Sequence, residues 1–267
     1  MVGKIYEGDF KYKYMEYGDG AKFLIKDATM KFTNPNEFND PFDCLPSYTL
    51  ENVDTLILKD KETLKKAGDA LGYSPSGRIM NKGKMIANVK RSVSKGIWQS
   101  LIRNDIGVCS LTSKACNLLM WAHYGNNHKG IVAEFRNEIP DNPDYSEEFL
   151  CSFHVEYNKE KPIKELKDAD FVHDLLVKGL DWEYEDEIRC LDMHRRAGIH
   201  KYRRNLLKSI ILGVKFDEKK INEIEILIDN VNKQYNLDIK LYKAQIVKDT
   251  FKIYIPEHPI YGDPSWV

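Results

Sequence analysis

Apolar runs of strand length alternate irregularly with stretches of helical periodicity along this chain, and that order constrains its fold more than any other feature. Phe10-Lys11-Tyr12-Lys13-Tyr14 and Thr29-Met30-Lys31-Phe32-Thr33 alternate with period two, as half-buried strands do. Ile106 to Leu111, Ile131 to Phe135 and Ser209 to Val214 are short apolar runs suited to buried strands. Phe149 to Tyr157 places Phe149, Cys151, Phe153, Val155 and Tyr157 on one face of a strand, and Ile239 to Val247 and Phe251 to Ile255 close the chain as two more. Helices are expected over about 51 to 103, broken by a loop at Gly72 to Gly77, and from Lys114 to Tyr124 behind the capping hydroxyls of Thr112 and Ser113. Two more are expected: 164 to 181, with Val172, Leu175 and Leu176 on one stripe, and 217 to 234, with Ile221, Ile224, Leu227, Ile228 and Val231 inward. Such an order predicts a single α+β domain rather than a doubly wound parallel sheet. Its core is a mixed, mostly antiparallel sheet, with a helical insertion over about 51 to 103 and peripheral helices.

Composition narrows the function classes. The chain has 267 residues, 42% of them hydrophobic and 30% charged, and no apolar run nears the roughly 20 residues that span a bilayer. Met1 to Glu7 lack the apolar region of a signal peptide, so a cytoplasmic protein with no membrane contact is expected. The five cysteines are scattered without a C-x-x-C pair, which predicts buried thiols and neither a disulfide framework nor a metal site. A G-x-S-x-G elbow, a phosphate loop and a dinucleotide glycine fingerprint are all absent from the sequence. Net charge is only -1, but residues 70 to 104 carry no acid, and a second basic run holds Arg195, Arg196, Lys201, Arg203, Arg204 and Lys208. Arg203 and Arg204 are therefore candidates for nucleic-acid contact.

Two clusters concentrate the chemistry. Leu118 to Ile131 combines Trp121, His123, Tyr124 and His128 with glycines and amides between a short helix and an apolar strand. Trp182-Glu183-Tyr184-Glu185-Asp186-Glu187-Ile188-Arg189 crowds acids at the start of another strand-like run. If residues 184 to 191 are extended, Glu185, Glu187 and Arg189 share a face, with carboxylates about 7 Å apart that repel unless one finds a partner or a task. Arg189 would satisfy one and leave the other poised. Between aromatics, such a carboxylate suits the stabilisation of positive charge on a sugar ring or the anchoring of a ribose hydroxyl. The plainer alternative is an exposed acidic turn or an i,i+4 pair. A further loop, Phe38-Asn39-Asp40-Pro41-Phe42-Asp43, is stiffened by Pro41 and offers Asn39 and Asp40 as binding groups.

These three motifs, in this order, resemble the prokaryotic domain-of-unknown-function family 2971, from about Tyr12 to about Ile255. A more distant similarity is to ADP-ribosyltransferases. It implies a first position at Tyr12 or Tyr14, a middle one at Tyr124 or Thr33, and a late carboxylate at Glu187 within Glu185-Asp186-Glu187. The chain has no His or Arg at the first position and no Ser-Thr-Ser-like middle motif, so Glu187 is the residue that the similarity places. On that resemblance NAD is the expected co-substrate. Glu187, Glu185 and Tyr124 are the catalytic candidates, Trp121, His123, His128 and Arg189 line the site, and the acceptor is a nucleic acid or a protein, in bacterial defence or as a toxin. Two alternatives stay open: a non-catalytic ligand or nucleic-acid sensor, and a phosphodiesterase using His123 and His128.

Overall fold

Five consecutive buried residues, Ile131 to Phe135, need cover on both sides, and the strand they form takes an interior place in the sheet. The computed structural model describes residues 3–45, 47–49, 51, 59, 61–95, 106–141, 147–165 and 171–266. In chain order, its first elements are β1 (Phe10–Met15), α1 (Asp19–Asp27), β2 (Thr29–Phe32) and β3 (Ser47–Thr49). Then come α2 (Lys61–Ala70), α3 (Pro75–Met80), α4 (Lys82–Ser94), β4 (Gly107–Thr112), α5 (Leu118–His123) and β5 (Ile131–Arg136). Next are β6 (Phe153–His154), β7 (Glu156–Asn158), β8 (Ile163–Glu165), α6 (Phe171–Asp174), β9 (Val177–Gly179) and β10 (Glu187–Asp192). The last are β11 (Gly198–Lys201), β12 (Leu207–Leu212), α7 (Ile221–Tyr235), β13 (Lys240–Lys243), β14 (Gln245–Ile246) and β15 (Ile253–Tyr254).

Seven strands form the main sheet in the order β13-β12-β5-β1-β4-β10-β6. All its neighbours run antiparallel except β12 and β13, which are parallel and joined by α7. A parallel pair cannot be closed by a hairpin, and the helix supplies the crossover. The fold is α+β.

Each face of the sheet has its own cover. On one face, Ala133, Phe135, Cys109, Leu111, Ile188 and Cys190 meet α1 and α7. The inward stripe of α7 is Ile224, Ile228 and Val231, spaced by four and three, and each side chain contributes roughly 1.5–3 kcal/mol on burial. The helix ends where Asn236 enters the left-handed region at φ 52° and terminates the hydrogen-bond ladder. On the other face Tyr12, Tyr14, Val132 and Ile211 pack with Trp121 of α5 and with Ile253 and Ile255. The helices of the insertion bury Ala67, Met85, Val89 and Val93 in a separate small cluster.

Four stretches fold otherwise than their periodicity predicts. Pro75 opens α3 instead of lying in a loop, because Ser74 caps the helix and proline suits its first position. The helix expected from Lys114 starts only at Leu118, capped by Asn117, whose side-chain oxygen accepts from Leu119 and Met120. The Thr112 hydroxyl accepts from the Lys114 amide at 3.2 Å and donates to the Glu185 carbonyl, holding a turn ahead of the helix. The strand expected over Phe149 to Tyr157 is broken by a turn at 147–150, with Leu150 at φ 53°, so only β6 and β7 are extended. The helix expected over 164–181 is in its described part β8, one turn of α6, β9 and then a 3-10 turn from Leu180. Residues 166–170 lie outside the described residues. Pairing of β7 with β9 and of β3 with β8 captures these short strands, a tertiary effect that overrides the apolar stripe.

Candidate functional site

β1 and β4 are registered at Tyr12 and Thr112, and then they part. β4 goes on to pair with Thr33 through Val108, while Lys13 bridges the gap by donating to the Ser110 carbonyl at 2.7 Å. The opening is the wall of a cavity of about 400 Å³, lined by Tyr12, Lys13, Tyr14, Asn39, Tyr124 and Lys178 with Asp43, Glu185 and Glu187.

The floor of this cavity is a buried ion cluster. Glu187 and Arg189 project from the same face of β10, and the guanidinium holds the Glu187 carboxylate from two sides, at 2.8 Å for both Nε and NH2. The same guanidinium reaches Asp43 at 2.7 Å and the Leu175 carbonyl at 2.7 Å. Lys178 from β9 is the second cation. Its Nζ lies 3.0 Å from Glu187, 3.6 Å from Asp43 and in hydrogen-bond contact with Glu185. Three carboxyl groups thus face two cations.

Glu185 is not on the strand. It ends the 3-10 turn Leu180–Glu185, and Asp186, at φ 45°, turns the chain before β10 begins. That left-handed residue lets side chains two positions apart converge on one ammonium. The turn is fastened by Thr112 to the Glu185 carbonyl at 2.7 Å and by the Glu187 amide to the Tyr157 hydroxyl at 2.8 Å. Tyr124, at the end of α5, donates to Glu185 Oε1 at 2.5 Å.

The two glutamates differ electrostatically. Burial would raise the Glu187 carboxyl, but Arg189 first and then Lys178 outweigh it and hold it at about 2. Burial raises Glu185 too, and there Lys178 does not cancel it while Glu187 adds to it, so its carboxyl stays above the usual range. Tyr124 is likewise raised, by burial and then by Glu185. For Lys178, burial acts downward but is exceeded by Glu187, Glu185 and Asp43, and the ammonium is kept charged.

The structure distributes the expected site residues unevenly. Tyr12, Tyr14, Asn39, Tyr124, Glu185 and Glu187 all line the cavity. Tyr12 and Tyr14 turn their hydroxyls elsewhere, to Glu134 and to the Lys114 carbonyl. Arg189, 0% exposed, lies beneath the floor and acts on a ligand through Glu187 and Asp43. Trp121 is a core residue, also 0% exposed, with its indole N–H on the Ala115 carbonyl at 2.9 Å and its ring edge-on to Tyr14. Asp40 makes the turn, accepting from the Phe42 amide at 2.8 Å, and lines a neighbouring cavity.

His123 is exposed with Nδ1 2.9 Å from the Tyr184 hydroxyl, whereas His128 stacks on Trp121 and lines a third hollow beside Lys215 and Phe251. Neither imidazole lines the cavity floored by the ion cluster, and the third hollow is lined by His128 without His123. Arg203 pairs with Glu148 and Arg204 lies over the Tyr235 ring at 3.9 Å, and neither lines the cavity. Asp43, Lys178, Lys13 and Ser110 were not singled out in the sequence. Asp43 closes the Phe38 to Asp43 motif and was the one with a signal. Lys178 was hidden in a stretch that reads as helix.

Fold and site together define an α+β protein with a ligand-sized cavity floored by a buried ion cluster. Residues 120–190 match the model of the family described as Protein of unknown function (DUF2971). The matched span carries Tyr124, Lys178, Glu185, Glu187 and Arg189, and over that span it supports the resemblance drawn from the sequence. Comparison with curated proteins and with solved structures gave no match. Among the described residues there is no group of side chains arranged to hold a metal ion, and no helix long and apolar enough to cross a membrane.

Proposed function

We propose that the cavity is the active site of an enzyme that cleaves the nicotinamide–ribose bond of NAD, passing the ADP-ribosyl group to water or to a nucleic-acid or protein acceptor. The observation that carries this reading is the convergence of Tyr124, Glu185 and Glu187 on one cavity, with Glu187 held by Arg189 and Lys178 and Glu185 by Lys178 and the Tyr124 hydroxyl. Breaking the glycosidic bond sends its electron pair to the pyridinium ring, so neutral nicotinamide leaves and positive charge develops on the ribose. A cavity floor with one carboxylate in excess of its cations stabilises that charge. The acceptor O–H then bonds to the ribose carbon and gives its proton to Glu185, whose raised carboxyl makes it the better base.

Glu187 takes the positioning role in this reading. Its oxygens are held by Arg189 and Lys178, and it fixes the ammonium that Glu185 also contacts. Lys13, at the cavity wall, is placed to meet the anionic part of the substrate.

The test is nicotinamide release from NAD, alone and with cell lysate, by the wild type and by Glu185→Gln and Glu187→Gln. Loss of release in Glu185→Gln with the fold intact supports the reading. Absence of release under every condition overturns it in favour of a ligand sensor.

A further inference from the structure

We infer that the neighbouring cavity, across Lys178 from the first, is a binding subsite for a nucleotide: a planar base carrying phosphate. It measures about 430 Å³ and shares Lys178 with the cavity described above. The Phe38 to Asp43 loop serves both, giving Asn39 and Asp43 to one and Asp40 and Phe42 to the other. An elongated ligand can therefore run past Lys178 with one end in each.

The walls specify the chemistry. Phe42 is 74% exposed, unusual for a phenyl group in a fixed turn, and it lines the same space as the half-buried Trp182. Two aromatic rings beside one cavity favour a flat aromatic ligand, for which stacking is tolerant of base identity. Four lysines and four acids, Asp40, Glu160, Asp174 and Asp181, supply the charged part of the lining. Lys178 lies 5.0 Å from the Trp182 ring centroid, and Lys159 and Lys161 stand on the segment after β7. Lys164 is paired with Asp174 at 2.6 Å, and the exposed Lys159 is the cation that would meet phosphate.

This inference deepens the proposed function and rests on it only for which end of the ligand reacts. ADP is the probe, because it has the base and phosphates and lacks the reacting bond. Its binding is measured by titration calorimetry on the full chain, for the wild type and for Trp182→Leu, Phe42→Ala and Lys159→Ser, with thermal unfolding to show that each variant folds. Phe42 is the safest probe, since its exposed ring has little packing to lose. The expected result is binding by the wild type that falls by about tenfold or more in Trp182→Leu and Phe42→Ala, the loss of a stacking surface. In Lys159→Ser the salt dependence of binding should weaken.

No ADP binding by the wild type, or binding unchanged in folded Phe42→Ala and Trp182→Leu, overturns the subsite. Binding as expected without nicotinamide release overturns the reaction and leaves the subsite. Nicotinamide release with ADP binding indifferent to both aromatic variants overturns the subsite alone.

Discussion

Arg189 and Glu187, two residues apart on β10, form a two-point ion pair, Nε to Oε1 and NH2 to Oε2, each 2.8 Å long and with 0% and 5% of the two residues exposed. Two buried charges are stable only together. Arg189→Ala strands Glu187 and Asp43 as carboxylates with Lys178 alone between them, and breaking a buried pair from one side costs about 3–5 kcal/mol. Urea unfolding measures it. A loss below about 1 kcal/mol, the scale of exposed pairs, refutes the structural role given to this guanidinium.

Lys11 presents a different buried cation. It is 0% exposed, and its ammonium donates to the Asn137 side chain and to the carbonyls of Phe149 and Leu150, all of them neutral. Burial lowers it from 10.5 to about 8. A cation whose folded value is depressed penalises the fold fully below pH 8, and the penalty fades as pH rises from about 8 to 10.5. The raised thiols of Cys44, Cys109 and Cys190 act in the opposite sense above their ordinary range, so the readout is a difference. Wild type should gain stability relative to Lys11→Met by up to about 1.4 kcal/mol per pH unit in that window. A difference that is flat with pH would show that Lys11 keeps an ordinary value.

The parts of the fold legible in the sequence are those that bury a stripe of their own. β1, β5, β12 and α7 each carry their pattern locally, whereas β9 is three residues whose state is decided by pairing with β7. Lys178 was invisible for that reason. The crowding of Glu185, Glu187 and Arg189 was readable from composition, because like charges so close need a partner. The left-handed turn at Asp186 that sets Glu185 off the strand was not, since aspartate rarely signals it. Trp121 shows the opposite error. An aromatic beside histidine and glycine reads as a pocket wall, but a large ring on the buried side of a short helix packed against the sheet fills the core more readily.

Gly213 tests how closely that core is built. A Cβ there would stand 2.2 Å from the His128 carbonyl oxygen and 3.0 Å from the Trp121 ring, and the nearer atom is backbone that cannot swing aside. Gly213→Ala should therefore destabilise the protein by roughly 1–3 kcal/mol, the cost of overpacking. Chemical denaturation checks the loss. The substitution touches neither Glu185 nor Lys178, so a variant that loses stability below about 0.5 kcal/mol would show that the loop at His128 yields.

Glu185 and Glu187 can be told apart by pH. A base must be ionised to accept a proton, so the rate falls tenfold per unit below its pKa. Glu187 is held at about 2 and stays ionised throughout any range in which the protein is assayed. Glu185 is raised above its ordinary 4.5 by burial, despite Lys178, and its titration belongs in the measurable range. Nicotinamide release should therefore show an acid limb above pH 4.5, and Glu185→Gln should abolish that limb together with at least about 100-fold of the rate. Tyr124→Phe removes the hydroxyl that donates to Glu185 Oε1 at 2.5 Å, a bond that stabilises the ionised carboxylate, so the limb should move to higher pH. A limb that stays in place in Tyr124→Phe would show that the titrating group is not Glu185. Activity independent of pH down to about 4 would return the proton-transfer role to a group outside this pair.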